Sequence, residues 1–267
     1  DDWKGWNFGD GDNDGSGSFF HGTAVAGVVV AKTDNALGMA GIGGGFADKG
    51  LSVMIGGVGN NAPDGSVLDD AILYAAENGA RVIQLSLSVG QNSAIDAALE
   101  AAYMDNDMLI ACSSGNSAPN PVAYPARNEH VMAVGATTQS DQRANFSQFG
   151  DELEIAAPGQ NILTLDLNDG YGSVGGTSFA SPVISAVAGM IWSVTPWLGN
   201  DEVRALLQDT ADKVGGYNYD HDPSRPGHSL ELGYGRVNID TAIETALSLT
   251  EVMLVDGFET TNRNAFR

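Results

Sequence analysis

Cysteine is all but missing from this chain: Cys112 stands alone. No disulfide can form within it, so the fold rests on core packing. Cys112 lies on an apolar segment, where its plain reading is a buried core thiol, with a catalytic role the lesser alternative. Basic residues are scarce too. Lys plus Arg number 12 against 34 Asp plus Glu, giving a net charge of −22. That balance argues against nucleic-acid binding and docking to anionic lipid, both of which need basic patches. Self-repulsion of this size is best tolerated in high salt, where the screening length shrinks to about 3 Å, and it fits a marine, halophilic or cold habitat. No secretory signal is visible. The apolar stretch 184–194 is too short for a membrane span and carries Ser and Gly. Histidine is limited to His21, His130, His221 and His228.

What is present suits a globular domain. The 267 residues, 43% of them apolar, can bury one substantial core. Helix and strand patterns alternate. Helices are expected over 22–31, 66–77, 93–104, 179–194, 201–208 and 241–247. Strands are expected over 51–55, 82–87, 108–112, 130–135 and 153–156, with a hairpin at 162–165 and 171–174. Such alternation predicts a three-layer α/β fold, a mainly parallel sheet with helices on both faces. Ligands on such sheets bind beyond the carboxyl ends of the strands. After Leu249 the character changes. Residues 253–259 read as a short strand-like piece, so 1–249 is taken as the domain and 250–267 as a linker or the start of another module.

Three segments carry chemistry. Gly175-Gly176-Thr177-Ser178-Phe179-Ala180-Ser181-Pro182 sets a serine between a glycine turn and an apolar helix. Free N–H groups and the positive dipole end at a helix start favour developing negative charge, which an acyl-transfer nucleophile needs. The alternative is an ordinary Ser/Thr cap. His21-Gly22-Thr23-Ala24 places a histidine beside small residues at another helix start, where a general base could face a cleft. Ser113-Ser114-Gly115-Asn116 ends an apolar strand in a turn; Asn116 is either a turn residue or an amide donor to an oxyanion.

Together these segments resemble the subtilisin-like serine proteases, the subtilases. Further matches fall in family order: Gly38-Met39-Ala40-Gly41, Val82-Ile83-Gln84-Leu85-Ser86-Leu87, Tyr124-Pro125-Ala126, Ala156-Ala157-Pro158-Gly159 and Gly233-Tyr234-Gly235-Arg236-Val237-Asn238. The resemblance covers residues 5–247. It implies a secreted or cell-envelope endopeptidase acting on polypeptides through an acyl-enzyme. Ser178 would be the nucleophile, His21 the general base and Asn116 an oxyanion donor. Ser86, Leu87, Ser88, Ser113, Ser114 and Gly115 would line the substrate, with residues 86–90 pairing to it as an extended strand. No cofactor is required for this chemistry, and a propeptide outside the chain is allowed. Because Ala180 follows where G-x-S-x-G needs glycine, an α/β-hydrolase is disfavoured.

The chain also departs from the family. Ser88 occupies a common glycine place, Ala24 and Val183 replace common histidines, and Phe179 replaces a common methionine. Most consequentially, subtilases order their triad Asp, His, Ser, and no strand ending in such an aspartate precedes His21. Residue 1 is read as the start of a fragment, with the aspartate expected upstream. In subtilisin, losing that residue alone costs roughly 3 × 10⁴ in kcat, so strong impairment of this chain is expected. A non-catalytic subtilase-like binding protein and an unrelated esterase-type hydrolase are the alternatives. Structural calcium is a further expectation. Asp10, Asp12 and Asp14 open like an EF-hand loop, but the twelfth position is His21 rather than Glu. A solvated loop is the simpler reading there, as it is for Asp220-His221-Asp222.

Overall fold

The computed structural model describes residues 5–15, 20–46, 49–59 and 62–255. Its centre is a four-stranded parallel sheet in the order β3-β4-β5-β6, formed by Val82–Leu85, Leu109–Ser113, Met132–Thr137 and Leu153–Pro158. Alternate side chains of the two central strands enter different cores. On β4, Leu109 and Ala111 join one cluster, while Ile110 and Cys112 join the other. β5 repeats this, with Met132, Val134 and Ala136 on one side and Ala133, with Val131 just before the strand, on the other. The strands read as continuous apolar runs because both faces are covered.

Helices α2 (Leu68–Glu77) and α3 (Ser93–Glu100) cover one face. Helices α4 (Thr177–Val194), α5 (Asn200–Asp209) and α6 (Ile239–Val255) cover the other. This is the expected three-layer arrangement. Helix α1 (Phe20–Val30) lies on α4 and on the antiparallel hairpin of β7 (Ile162–Asp166) and β8 (Gly170–Val174). Thr164 Oγ1 donates to Ala24 O at 2.6 Å, tying hairpin to helix.

α4 is long and apolar enough to cross a membrane, because it begins before the apolar stretch recognised in the sequence. It is instead the core helix: Ala180, Ile184, Ala186, Val187, Ala188 and Ile191 are fully buried. Small residues along it let the helix sit close to the sheet. The outer edge of β6 is covered by a later segment. Tyr234 N–H donates to Glu154 O at 2.7 Å, Ala156 N–H to Gly235 O at 2.9 Å and Val237 N–H to Ala156 O at 2.8 Å. That protects an edge that would otherwise invite pairing.

Two expected strands do not form. Among the described residues, 51–55 have no ladder partner: β1 (Trp6–Asn7) pairs in parallel with β2 (Gly56–Gly57), and single bonds reach 51–55, Trp6 N–H donating to Ile55 O at 2.9 Å and Leu51 N–H to Gly43 O at 2.8 Å. Strand-prone composition without a continuous ladder does not make a strand. The strand-like piece at 253–259 is helical as far as Val255, since α6 runs straight through residue 249; residues 256–259 lie outside the described residues. β3 stops at Leu85 rather than at 87, which releases residues 86–90 to irregular backbone.

Candidate active site

The carboxyl ends of three parallel strands converge on the first turn of α4. After β6, the Gly159 carbonyl accepts the Gly176 N–H at 2.8 Å. After β4, Asn116 meets Thr177. After β3, Ser86 meets Ser178. Strand-to-loop transitions at this end of a parallel sheet are where such folds place chemistry.

The Asn116 side chain is fixed by its oxygen. Oδ1 accepts both the Thr177 N–H and the Thr177 hydroxyl, each at 2.9 Å. The same hydroxyl oxygen accepts the Gly115 N–H at 3.1 Å. With Oδ1 committed to two donors, the amide nitrogen is the free, donating end, and Asn116 is exposed to solvent. Gly176 makes the approach feasible: its φ is +155°, and a Cβ there would lie 3.3 Å from Asn116 Nδ2. Gly115 has φ +108°, and a Cβ there would collide with the Gln148 side chain. Gln148 in turn shapes the whole loop: its N–H donates to Gly115 O at 3.0 Å and its Oε1 accepts the Ser117 N–H at 3.2 Å.

Ser178 is half-buried in the first turn of α4, whose N–H groups have no acceptor four residues back within the helix. Its neighbour Phe179 is 4% exposed and packs with Ala24 and Val25 of α1. The His21 ring lies 5.6 Å from the Phe179 ring, centroid to centroid. The apolar contact between α1 and α4 thus brings His21 against the residue that follows Ser178. Burial lowers the His21 pKa below its ordinary 6.5, so the imidazole is neutral and able to accept a proton at neutral pH.

The other histidines are engaged elsewhere. His130 stacks on Tyr103 with centroids 5.3 Å apart, and His221 lies against His228 at 5.4 Å. His228 is fully buried, with Nε2 donating to Leu153 O at 2.6 Å. Cys112 is fully buried, and burial pushes its thiol up to about 12, as a core thiol rather than a nucleophile.

The expected substrate-lining residues divide. Ser88 is exposed, and Gly115 is partly exposed beside Asn116. Ser114 is fully buried, and its hydroxyl donates to Gln148 O at 2.9 Å, so its side chain braces the loop and is closed to a ligand. Ser113, 4% exposed, is likewise enclosed as the last residue of β4. Leu87 packs into the α2–α3 core. Val89 N–H is bonded to Tyr124 O at 3.1 Å, which leaves less of 86–90 for strand pairing than expected. The Ser86 hydroxyl points inward, donating to Ser178 O at 2.6 Å.

The acidic loop does not converge. Asp10 Oδ2 accepts from Asn7 Nδ2 at 2.9 Å, and Asp12 Oδ1 accepts the Asp14 N–H at 3.0 Å. Among the described residues no three His, Cys, Asp or Glu side chains gather where a metal ion would sit.

Several residues that build the site escaped the sequence reading. Thr177 lay in a quoted motif, but its hydroxyl's role as a clamp on Asn116 needs the long-range contact. Gln84 likewise lay in a quoted match without a role of its own, and Gln148 carried no signal, because nothing in its local spacing sets it apart from an ordinary polar position.

The comparisons with known proteins agree with this fold. The model of the subtilase family matches residues 1–235. The cell wall-associated protease of Bacillus subtilis (strain 168) is 34% identical over 261 residues, covering 92% of this chain and 28% of the relative. This chain therefore spans little more than a quarter of that relative's length. Thermitase of Thermoactinomyces vulgaris is 37% identical over 218 residues, covering 79% of this chain and 74% of the relative. Among solved structures, the prenylagaramide maturation protease PagA superimposes with a TM-score of 0.72 at 26% identity, covering 86% of this chain and 84% of that one. With its fold and most of its length matched in this way, the chain belongs to the subtilase family.

Proposed function

We propose that this chain is the catalytic region of a serine endopeptidase that cleaves polypeptides through an acyl-enzyme. The observation that carries the reading is the clamped Asn116 amide, its nitrogen left to donate at the helix start that holds Ser178. In this mechanism Ser178 Oγ attacks the peptide carbonyl while His21 takes its proton. The carbonyl oxygen, now negative, is held by Asn116 Nδ2 and the Ser178 N–H. His21 then gives the proton to the leaving amine, and the acyl group stays on Ser178. Water, activated by the same histidine, releases the acid product. The substrate backbone would run past Ser88 and Gly115, the accessible members of the expected lining.

The imidazolium formed at His21 calls for an orienting carboxylate, and residues 1–20 contain no Asp-Thr-Gly or Asp-Ser-Gly segment. The 267 residues by themselves are therefore proposed to react slowly but measurably, through the oxyanion donors and binding that remain, and each variant is read as a ratio to the unaltered chain's own rate. A secreted or cell-envelope location is proposed from the relatives, which include a cell wall-associated protease. Structural calcium stays an expectation of the family resemblance alone.

Hydrolysis of unfolded casein and of a short ester, compared between this chain and Ser178→Ala, tests the reading. Peptide release that vanishes in the variant is expected. Ester turnover without any peptide release would replace the endopeptidase with an esterase-type hydrolase.

A further inference from the structure

We infer that Gln84 and Ser86 are positioning residues for Ser178, supplying a hydrogen bond that α4 itself cannot make. The inference rests on Ser178 being the nucleophile. In an α-helix the carbonyl of residue i accepts the N–H of residue i+4. For Ser178 that residue is Pro182, which lies inside α4 and has no N–H. A proline ring also crowds the carbonyl four residues back and turns it away from the helix axis. Ser86 stands where that carbonyl points, donating its hydroxyl to Ser178 O at 2.6 Å.

The relay has a second member. With its proton committed, Ser86 Oγ offers only lone pairs, and Gln84 Nε2 donates to it at 2.6 Å. The same nitrogen reaches Ser181 Oγ at 3.4 Å, three residues along α4 from Ser178. Gln84 is thus held by two acceptors, and its amide faces the helix with the nitrogen inward. Together these bonds fix the peptide unit joining Ser178 to Phe179 against the end of β3. Rotation of that unit changes the backbone angle of Ser178. It therefore moves Oγ relative to His21 and the Ser178 N–H relative to Asn116. The sequence placed Ser86 on the substrate; its hydroxyl instead serves the residue that attacks. Leaving this half-buried carbonyl unpaired next to the nucleophile costs geometry as well as stability.

The test is the rate of Ser178 phosphorylation by diisopropyl fluorophosphate, which releases fluoride, measured with kcat and KM on a peptide nitroanilide. Ser86→Ala is expected to lower the labelling rate and kcat about tenfold, with KM changed less than about twofold. Gln84→Met, which keeps Ser86 but removes its orienting donor, is expected to lower both about threefold. Pro182→Ala restores the missing N–H, so in that background the Ser86→Ala loss should shrink to less than about threefold. Ser86→Thr, which keeps the hydroxyl, should restore the rate. Unchanged labelling and kcat in Ser86→Ala, a loss confined to KM, or an undiminished loss in the Pro182→Ala background would each overturn the positioning role. If circular dichroism shows Ser86→Ala unfolded, Gln84→Met decides: an unaltered labelling rate overturns the inference and a reduced one supports it. Absence of label on Ser178 in the unaltered chain would overturn the nucleophile itself, an outcome separate from any of these.

Discussion

Asn116 shows how one side chain's role is set by what holds it. Asparagine is common in turns, and the sequence left turn and oxyanion readings open. The structure resolves the orientation, because two donors on Thr177 take the amide oxygen and leave the nitrogen outward. Asn116→Ala is expected to lower kcat by about 10²–10³ with a small change in KM, the magnitude known for subtilisin's own oxyanion asparagine; steady-state kinetics checks it. His21 gives a second expectation. Burial disfavours its imidazolium, so its folded pKa lies below 6.5. The acid limb of kcat/KM should therefore inflect below pH 6.5, and His21→Gln should abolish turnover rather than move the limb. The stability sign is the same: as pH falls below 6.5 the unfolded chain binds the proton first, and stability is lost through the folded pKa.

Elements were legible where the pattern was local. The apolar runs of β4, β5 and β6 and the small-residue helix α4 could be read from composition and period. The three motif segments could be read as a set because each sits at an element boundary with turn chemistry. Residues 51–55 misled because strand formation depends on a partner, and composition does not reveal one. Residues 253–255 misled because three or four apolar residues suit a strand or a helix end equally well. Long-range polar ties were invisible for the same reason. A buried one joins α5 to β6: Arg204 pairs with Glu154 through two bonds, at 2.6 and 2.5 Å, with Gln208 also donating to Glu154. Glu154 is 4% exposed, so removing Arg204 strands a buried carboxylate. Arg204→Met should cost about 3–5 kcal/mol, seen as a lower denaturant midpoint. The double variant Arg204→Met/Glu154→Gln should regain part of the loss.

At the scale of the whole molecule, the single cysteine and the acidic surface act together. Without disulfides, the two cores flanking the sheet must outweigh the mutual repulsion of a chain with net charge −22. Salt screens that repulsion, with a Debye length falling from about 30 Å at 0.01 M to about 3 Å at 1 M. The thermal midpoint should therefore rise with sodium chloride over this range; a midpoint that falls would show that surface ion pairs dominate instead. The fold brings the ends of three strands to one helix start, and everything proposed for function depends on that convergence. Mass spectrometry of the chain after treatment with a fluorophosphonate tests this most directly. The account predicts a single adduct on the peptide containing Ser178, slowed strongly in His21→Gln and absent in Ser178→Ala. A correctly folded chain that takes no label on Ser178 would contradict it.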